Sequence, residues 1–240
     1  MRVIVIIFLF VIFVAANLYI FSHFAIPVNF EREIEYGATF SKPYAEDFDL
    51  DWKETYLAIL DDLKVRKLRV PAYWDLIEPE QDKYNFEDLD WQIDEAEKRD
   101  AKIILAIGRK LPRWPECFMP IWVKDWNETA QQERVFKMLR DVVIRYKDRD
   151  VISAWQVENE PFFRFFGECP PADEEFLKTE IEVVKSLDDT RPIIITESGE
   201  LSSWLRGGKY GDTLGVSMYW IVWNRHWGYF HHHIPAIYYN

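Results

Sequence analysis

One short stretch of this 240-residue chain joins an apolar strand to carboxylate side chains. Residues 155–161 read Trp-Gln-Val-Glu-Asn-Glu-Pro, so the apolar run leads directly to Glu158 and Glu160, with Asn159 between them. A carboxyl group that is partly buried at a strand end keeps its proton at neutral pH and can donate it to a leaving oxygen. The stretch predicts a general acid at Glu160, although carboxylates also favour the N-terminus of a helix.

Short apolar runs that alternate with helical patterns would position these residues. Six runs read as strands, at residues 36–40, 67–73, 101–107, 151–157, 193–195 and 214–218. Apolar residues recur at helical spacing in four intervening segments, around residues 52–63, 89–99, 135–146 and 176–187. Asn127 and Asp173 are of the residue types that cap helix N-termini, and they precede the last two of these helices.

The alternation of strands and helices predicts a parallel sheet. A doubly wound sheet and a closed barrel are the two common outcomes. No glycine-rich phosphate loop follows a strand, which argues against a nucleotide-binding doubly wound sheet. Polar residues cluster just after the strands, where a barrel carries its site. We therefore predict an α/β fold of the (β/α)8 TIM-barrel type, incomplete because about six βα units are present.

Several motifs resemble those of clan A glycoside hydrolases, which include cellulase-like and β-galactosidase-like enzymes. Asn-Glu-Pro at residues 159–161 ends a fourth strand, and Leu-Arg-Val-Pro at residues 68–71 is similar to the second-strand arginine motif. The resemblance extends over about residues 36–220, with further matches at Trp74, residues 78–80, 84–86 and 89–90, and residues 189–192.

This resemblance implies retaining hydrolysis of glycans or glycosides through a covalent glycosyl-enzyme. Glu160 would protonate the leaving group and then activate water, while Asn159 would bind a hydroxyl beside the reacting carbon. Arg69 would orient the nucleophile, since a guanidinium holds a carboxylate in a rigid fork. Tyr219, after the sixth strand, would assist the nucleophile.

The nucleophile is where the sequence departs from the clan pattern. Clan A enzymes carry it on a seventh strand, whereas here a segment rich in Trp, Tyr and His follows the sixth strand up to Asn240. Glu197 directly follows the apolar fifth strand, and neighbouring strands bring carboxyls close enough for a retaining pair. Glu197 is therefore a minor candidate for the nucleophile and otherwise a polar pocket residue. The alternative function is a non-catalytic carbohydrate-binding relative or a fragment.

The N-terminus carries an unbroken apolar run. Residues 3–16 are all apolar, and few polar residues interrupt the segment up to residue 28. About 20 apolar residues suffice to cross a bilayer as a helix. We predict a single-pass transmembrane anchor at residues 1–28, a linker at residues 29–35 and a barrel domain at residues 36–240. The single Arg2 before the run favours an extracytoplasmic barrel, and a cleaved signal peptide is the alternative.

Aromatic side chains and net charge indicate which classes of ligand the chain binds. Indole rings in loops after strands provide stacking surfaces for sugars, so substrate binding is predicted for Trp74, Trp114, Trp220 and Trp223, and also for Glu158. Trp122, Trp126 and Trp227 lie in loops of the same kind. The net charge of −12 argues against nucleic acid as a partner, and the oligomeric state is not indicated.

The remaining signals concern cysteines and histidines. Cys117 and Cys169 follow the third and fourth strands on one face of the barrel, so we predict that they pair outside the cytoplasm. Residues 231–233 are three consecutive histidines, which cannot converge well on one ion. Neither a metal nor another cofactor is predicted.

Overall fold

A computed structural model describes residues 2–24, 33–163, 167–199, 204–224, 226 and 228–231. The chain divides into two compact units, one formed by residues 36–219 and one that combines residues 1–35 with residues 220–240. The larger unit thus ends at residue 219, whereas the predicted barrel domain extended to residue 240.

The larger unit is built on a parallel sheet of six strands that are adjacent in chain order. The strands are β1 (Ala38–Thr39), β2 (Lys67–Pro71), β3 (Lys102–Ile107), β4 (Ile152–Val157), β5 (Ile193–Glu197) and β6 (Thr213–Val216). Helices connect β1 through β5, and a short 3-10 helix at Gly207–Lys209 precedes β6. No pairing joins β1 to β6 among the described residues, so the sheet is an open, TIM-barrel-like half-barrel. The predicted incomplete α/β barrel is confirmed.

The described part of the chain contains seven α-helices, some of which begin at side-chain caps. They are α1 (Arg2–Phe24), α2 (Lys42–Asp47), α3 (Trp52–Asp61), α4 (Trp74–Ile77), α5 (Glu87–Glu97), α6 (Glu128–Tyr146) and α7 (Glu174–Leu187). Asn127 accepts a hydrogen bond from the amide of Ala130 at 3.0 Å, and Asp173 accepts from Glu175 and Phe176. These contacts satisfy amides that the first turn leaves unpaired, so both predicted caps are confirmed.

Apolar packing on the helix-facing side of the sheet forms the core. In β3, Ile103, Leu105 and Ile107 are completely buried, as expected for a strand covered on both faces. In β4, the buried Trp155 donates its indole N–H to Asp188 Oδ2 at 2.9 Å, and Arg191 pairs with the same carboxylate. These bonds fix the faces of β4, so that Trp155 faces the helix layer and the next residue, Gln156, faces the interior of the half-barrel.

The smaller unit contains α1 and an antiparallel hairpin of β7 (Ile221–Asn224) and β8 (Gly228–His231). The side chains that the structure describes in α1, those of residues 5–17, are all exposed. Within the described part of the chain, no helix combines the length and the apolarity that crossing a membrane requires. The predicted transmembrane helix is therefore not supported. Residues 25–32, which include the end of the predicted anchor, lie outside the described residues.

Candidate active site at the carboxyl ends of the strands

The turn after β4 carries Glu160 to the edge of the sheet where the parallel strands end. Glu160 has a backbone φ of 46° and its amide donates to Thr196 Oγ1, on β5, at 2.9 Å. Ser217, just after β6, donates its hydroxyl to Glu160 Oε1 at 2.5 Å. The side chain is only 7% exposed. A left-handed backbone at a non-glycine residue is held only where surrounding contacts enforce it, and such strain often occurs at functional sites.

Asn159 is held in place by bonds from three directions. Its amide donates to the carbonyl of Lys110 at 2.7 Å, in the loop after β3. Its side-chain oxygen accepts from Gln156 at 3.3 Å and from Thr196 at 3.4 Å. Its side-chain nitrogen faces Glu116 Oε1 at 3.5 Å, the outer limit of a hydrogen bond. The Asn159 amide group is therefore oriented before any ligand binds.

Arg69 reaches across the interior of the half-barrel from β2. Its guanidinium donates to Thr39 Oγ1 at 3.0 Å and to Gln156 Oε1 at 3.2 Å. Burial lowers the pKa of Arg69, whereas the charges of Tyr219 and Glu160 act in the opposite direction. Tyr219 itself is 55% exposed. Arg69, Tyr219 and Glu160 therefore lie close enough for their charges to interact.

Glu197 lies on the opposite side of β5 from this site. Its Oε1 atom accepts a hydrogen bond from the amide of Gly207 at 2.9 Å, and its side chain is 1% exposed. A Cβ atom on Gly207 would come within 2.6 Å of this carboxylate. Successive side chains of a strand point to opposite faces, so Thr196 faces Glu160 and Glu197 does not. The described contact of the Glu197 carboxylate is thus with Gly207, and its role as a nucleophile or a pocket residue stays a prediction.

Glu158 has a structural role, although it was predicted to bind substrate. Its two carboxylate oxygens accept from the amides of Arg109 at 2.9 Å and Lys110 at 2.7 Å. Gly108, with φ 123°, is required at this point, because a Cβ there would lie 2.6 Å from Glu158 Oε1. Glu158 therefore shapes the loop after β3 and has no carboxylate oxygen free of protein contacts.

The predicted tryptophans divide into core and exposed groups. Trp74 is fully buried and donates its indole N–H to Glu78 at 2.8 Å, so it stabilises the core rather than binding a sugar. Trp114 is 49% exposed in the loop after β3. Trp220 and Trp223 are 61% and 62% exposed, but they belong to the smaller unit, where Trp223 lies in β7 instead of a strand-to-helix loop. Trp227 lies outside the described residues.

Sequence reasoning missed several residues of the site. Thr196 could have been found from period-two alternation, because it stands on the face opposite to the buried Ile195 at a strand end. No pattern in the sequence marked Glu116 and Lys110, which lie in the loop after β3. Burial raises the pKa of Glu116 to about 7; the Lys110 ammonium at 3.3 Å opposes this effect and the charge of Glu160 adds to it.

A disulfide ties down the loop that carries these two residues. Cys117 and Cys169 are bonded with their Cα atoms 5.3 Å apart, which is the pairing that the sequence predicted. Cys117 follows Glu116 directly, so the bond fixes the loop after β3 against the segment that follows β4. The arrangement can offer a proton or accept one at Glu160 and can bind hydroxyl groups at Asn159.

Comparison with known proteins identifies relatives of this fold. The sequence model of the glycoside hydrolase family 42 β-galactosidases matches residues 46–134. The cold-adapted β-galactosidase of Rahnella sp. R3 has 13% identity and a TM-score of 0.62, over 80% of this chain and 40% of that one. The GH5_18 protein of Streptomyces cattleya, solved in complex with Manβ1-4GlcNAc, has 17% identity and a TM-score of 0.60, over 77% and 51%.

A third solved structure extends the comparison to another activity. The exo-β-1,4-mannosidase of Opitutaceae bacterium strain TAV5 has 15% identity and a TM-score of 0.57, over 70% of this chain and 33% of that one. At these identities the structures show a shared fold, and the chain spans between a third and about half of their length. Together with the family match, they confirm the resemblance to clan A glycoside hydrolases.

Proposed function

We propose that this chain provides the acid/base side of a retaining glycoside hydrolase that acts on glycans or glycosides outside the cytoplasm. Glu160 protonates the departing glycosidic oxygen and then accepts a proton from the water that attacks the glycosyl-enzyme. Asn159 binds the hydroxyl beside the reacting carbon. Arg69 and Tyr219 orient the nucleophile.

The observation that carries this proposal is the placement of Glu160. Its carboxyl is 7% exposed at the carboxyl ends of the strands, and the hydroxyl of Ser217 holds one oxygen. A pre-oriented Asn159 amide is its direct neighbour in the same turn. Active sites of TIM-barrel enzymes lie at this edge of the sheet. The sugar complex of the Streptomyces cattleya neighbour supports carbohydrate as the ligand class.

A second function is favoured by the carboxylates around Glu160. Glu197 accepts a hydrogen bond from the amide of Gly207, and Glu158 is bonded to backbone amides. Among the described residues, the other carboxyl that acts on the site is Glu116, which is 4% exposed and paired with Lys110. None of these three presents a carboxylate to a sugar from the opposite side. The alternative proposal is therefore a carbohydrate-binding protein in which Glu160 accepts a sugar hydroxyl.

Leaving-group dependence in Glu160→Gln tests the enzymatic proposal. For substrates with poor leaving groups, such as alkyl glycosides, turnover should fall by about 10²–10⁴-fold, the usual contribution of general acid catalysis. Dinitrophenyl glycosides should lose much less in the glycosylation step, because their leaving group departs without protonation.

Glu158→Gln is the matched control, since Glu158 is two residues away and its carboxylate is engaged by the loop amides and by Glu180 instead of facing the site. This control variant should change turnover of both substrate types by the same factor, because it acts through the stability of the folded protein. An equal loss on both substrates in Glu160→Gln would refute the acid role. If the wild-type chain binds sugars without hydrolysing them, and Glu160→Gln changes the affinity only modestly, the binding function is the correct one.

Location outside the cytoplasm is part of this proposal. The Cys117–Cys169 bond supports it, because structural disulfides persist mainly in oxidising compartments. The apolar N-terminal run is compatible with an export segment.

A further inference from the structure

The loop after β3 is folded so that it delivers one carboxyl group to the candidate site. The amide of Leu111 donates to the carbonyl of Glu116 at 2.7 Å, and the amide of Glu116 donates to Arg113 at 2.7 Å. Arg113 and Glu116 both have positive φ values, of 92° and 67°. The disulfide at Cys117 fixes the end of this turn. Backbone conformations of this kind cluster at functional sites, which indicates that the position of the Glu116 carboxyl is functionally important.

Glu116 contacts both residues of the Asn159–Glu160 turn, one directly and one through a cation. Its Oε1 atom lies 3.5 Å from the side-chain nitrogen of Asn159, and its Oε2 atom lies 3.3 Å from Lys110 Nζ. The same ammonium donates to the carbonyls of Glu160 at 2.8 Å and Phe163 at 2.9 Å. Lys110 and Glu116 are 5% and 4% exposed. The pair therefore connects the loop after β3 to the backbone of the proposed acid.

We propose that Glu116 is a positioning residue of the proposed glycosidase site, which orients the Asn159 amide and, through Lys110, the backbone of Glu160. This inference rests on the proposed function for its catalytic meaning, but the contacts exist whether or not the site hydrolyses sugars. A charged Glu116 attracts both the Asn159 N–H groups and the Lys110 ammonium. A neutral Glu116 attracts both less strongly, so the orientation of Asn159 depends on the charge of Glu116.

The charge of Glu116 changes within the physiological pH range. Burial raises its pKa to about 7, and the charged groups that act on it are Lys110, which lowers the pKa, and Glu160, which raises it. Lys110 comes from the loop of β3 and Glu160 from the turn of β4. Above pH 7, where Glu116 is charged, its contacts therefore hold the Asn159–Glu160 turn more strongly than they do below pH 7.

The side-chain amide of Asn159 reports this coupling without any requirement for activity. Its ¹⁵N–¹H signals, assigned by their loss in Asn159→Asp, are followed by NMR from pH 5 to pH 9 in the full chain. In the wild-type protein they should shift with a midpoint of about 7. Glu160→Gln should lower that midpoint, because the Glu160 carboxylate raises the pKa of Glu116. Glu116→Gln should abolish the titration.

A purely structural Glu116 gives different results. An Asn159 signal that does not change with pH, or that titrates equally in Glu116→Gln, would overturn the proposal. Glu116→Gln is close in size and keeps an acceptor for Asn159, so it is expected to fold, and Glu182→Gln on the exposed face of α7 is the control for a charge change. If the titration is found but the wild-type chain does not hydrolyse glycosides, the proposed function fails while the positioning role of Glu116 stands.

Discussion

Two carboxyl groups, of Glu158 after β4 and of Glu180 on α7, make the free energy of unfolding depend on pH in a way that can be measured. Glu180, on α7, is completely buried beside the carboxyl of Glu158. Burial raises the pKa of Glu180 well above its usual range, and the charge and hydrogen bond of Glu158 act in the same direction, while Arg109 opposes them. Because backbone amides already donate to both oxygens of Glu158, we expect Glu180 to be the protonated member of the pair.

This arrangement makes the stability of the protein fall as the pH rises. The folded protein keeps the proton of Glu180, whereas the unfolded chain releases it above a pH of about 4.5. Unfolding therefore releases a proton, and the free energy of unfolding decreases by about 1.4 kcal/mol per pH unit until the raised folded-state pKa is reached. The contribution is fully present below pH 4.5, where both states are protonated.

Glu180→Gln removes this linkage while it keeps the contact. The glutamine amide has nearly the volume of the protonated carboxyl and can donate to Glu158 in its place. We expect the variant to match the wild-type stability near pH 4.5 and to exceed it increasingly towards pH 7.5. Urea unfolding at several pH values measures the difference, and Glu182→Gln, on the exposed face of the same helix, is the control. Parallel stability curves for Glu180→Gln and the wild type would refute a protonated Glu180.

Two further variants test the contacts that hold the loops. Replacement of Cys117 and Cys169 by serine should lower the free energy of unfolding by about 4 kcal/mol in the chain-entropy model, since the bond spans 52 residues; thiol alkylation of protein from its native compartment should find no free cysteine, and two free thiols would contradict the proposed location. Arg134→Leu should cost about 3–5 kcal/mol in urea unfolding, because it leaves the fully buried Glu78 carboxylate without its cation. A loss below about 1 kcal/mol would contradict that ion pair.

Much of the fold could be predicted from the sequence because the strands of a parallel sheet are continuous apolar runs. The predicted strand at residues 101–107 is β3 within one residue, and the one at residues 151–157 is β4 within one residue. The starts of α6 and α7 could also be predicted, because a capping side chain bonds to amides only two or three residues away. The hairpin of β7 and β8 was missed, because its residues lack both the alternation and the turn signals of a hairpin.

The candidate site was harder to predict than the fold, because residues distant in the sequence build it. Glu160, Asn159 and Arg69 could be named from motifs that follow or occupy strands. Glu116 could not be named, since its place at the site depends on a loop with positive φ values and on a disulfide between cysteines 52 residues apart. Trp74 was misassigned for a related reason. Composition shows that an indole is present but not whether it faces solvent or the core.

The contrast between Glu158 and Glu160 shows how the chain assigns different roles to two identical side chains. Trp155 packs against the helix layer and bonds to Asp188, which fixes the alternation of faces along β4. Glu158 lies beyond Val157 and turns back to the loop amides, where Gly108 leaves room for it. Glu158 and Glu160 both have positive φ values, of 58° and 46°, and the hydroxyl of Ser217 bonds to the Glu160 carboxylate at the strand ends. One carboxylate therefore builds the loop that carries Glu116, and the other lies at the strand ends, where the proposed function places the acid/base.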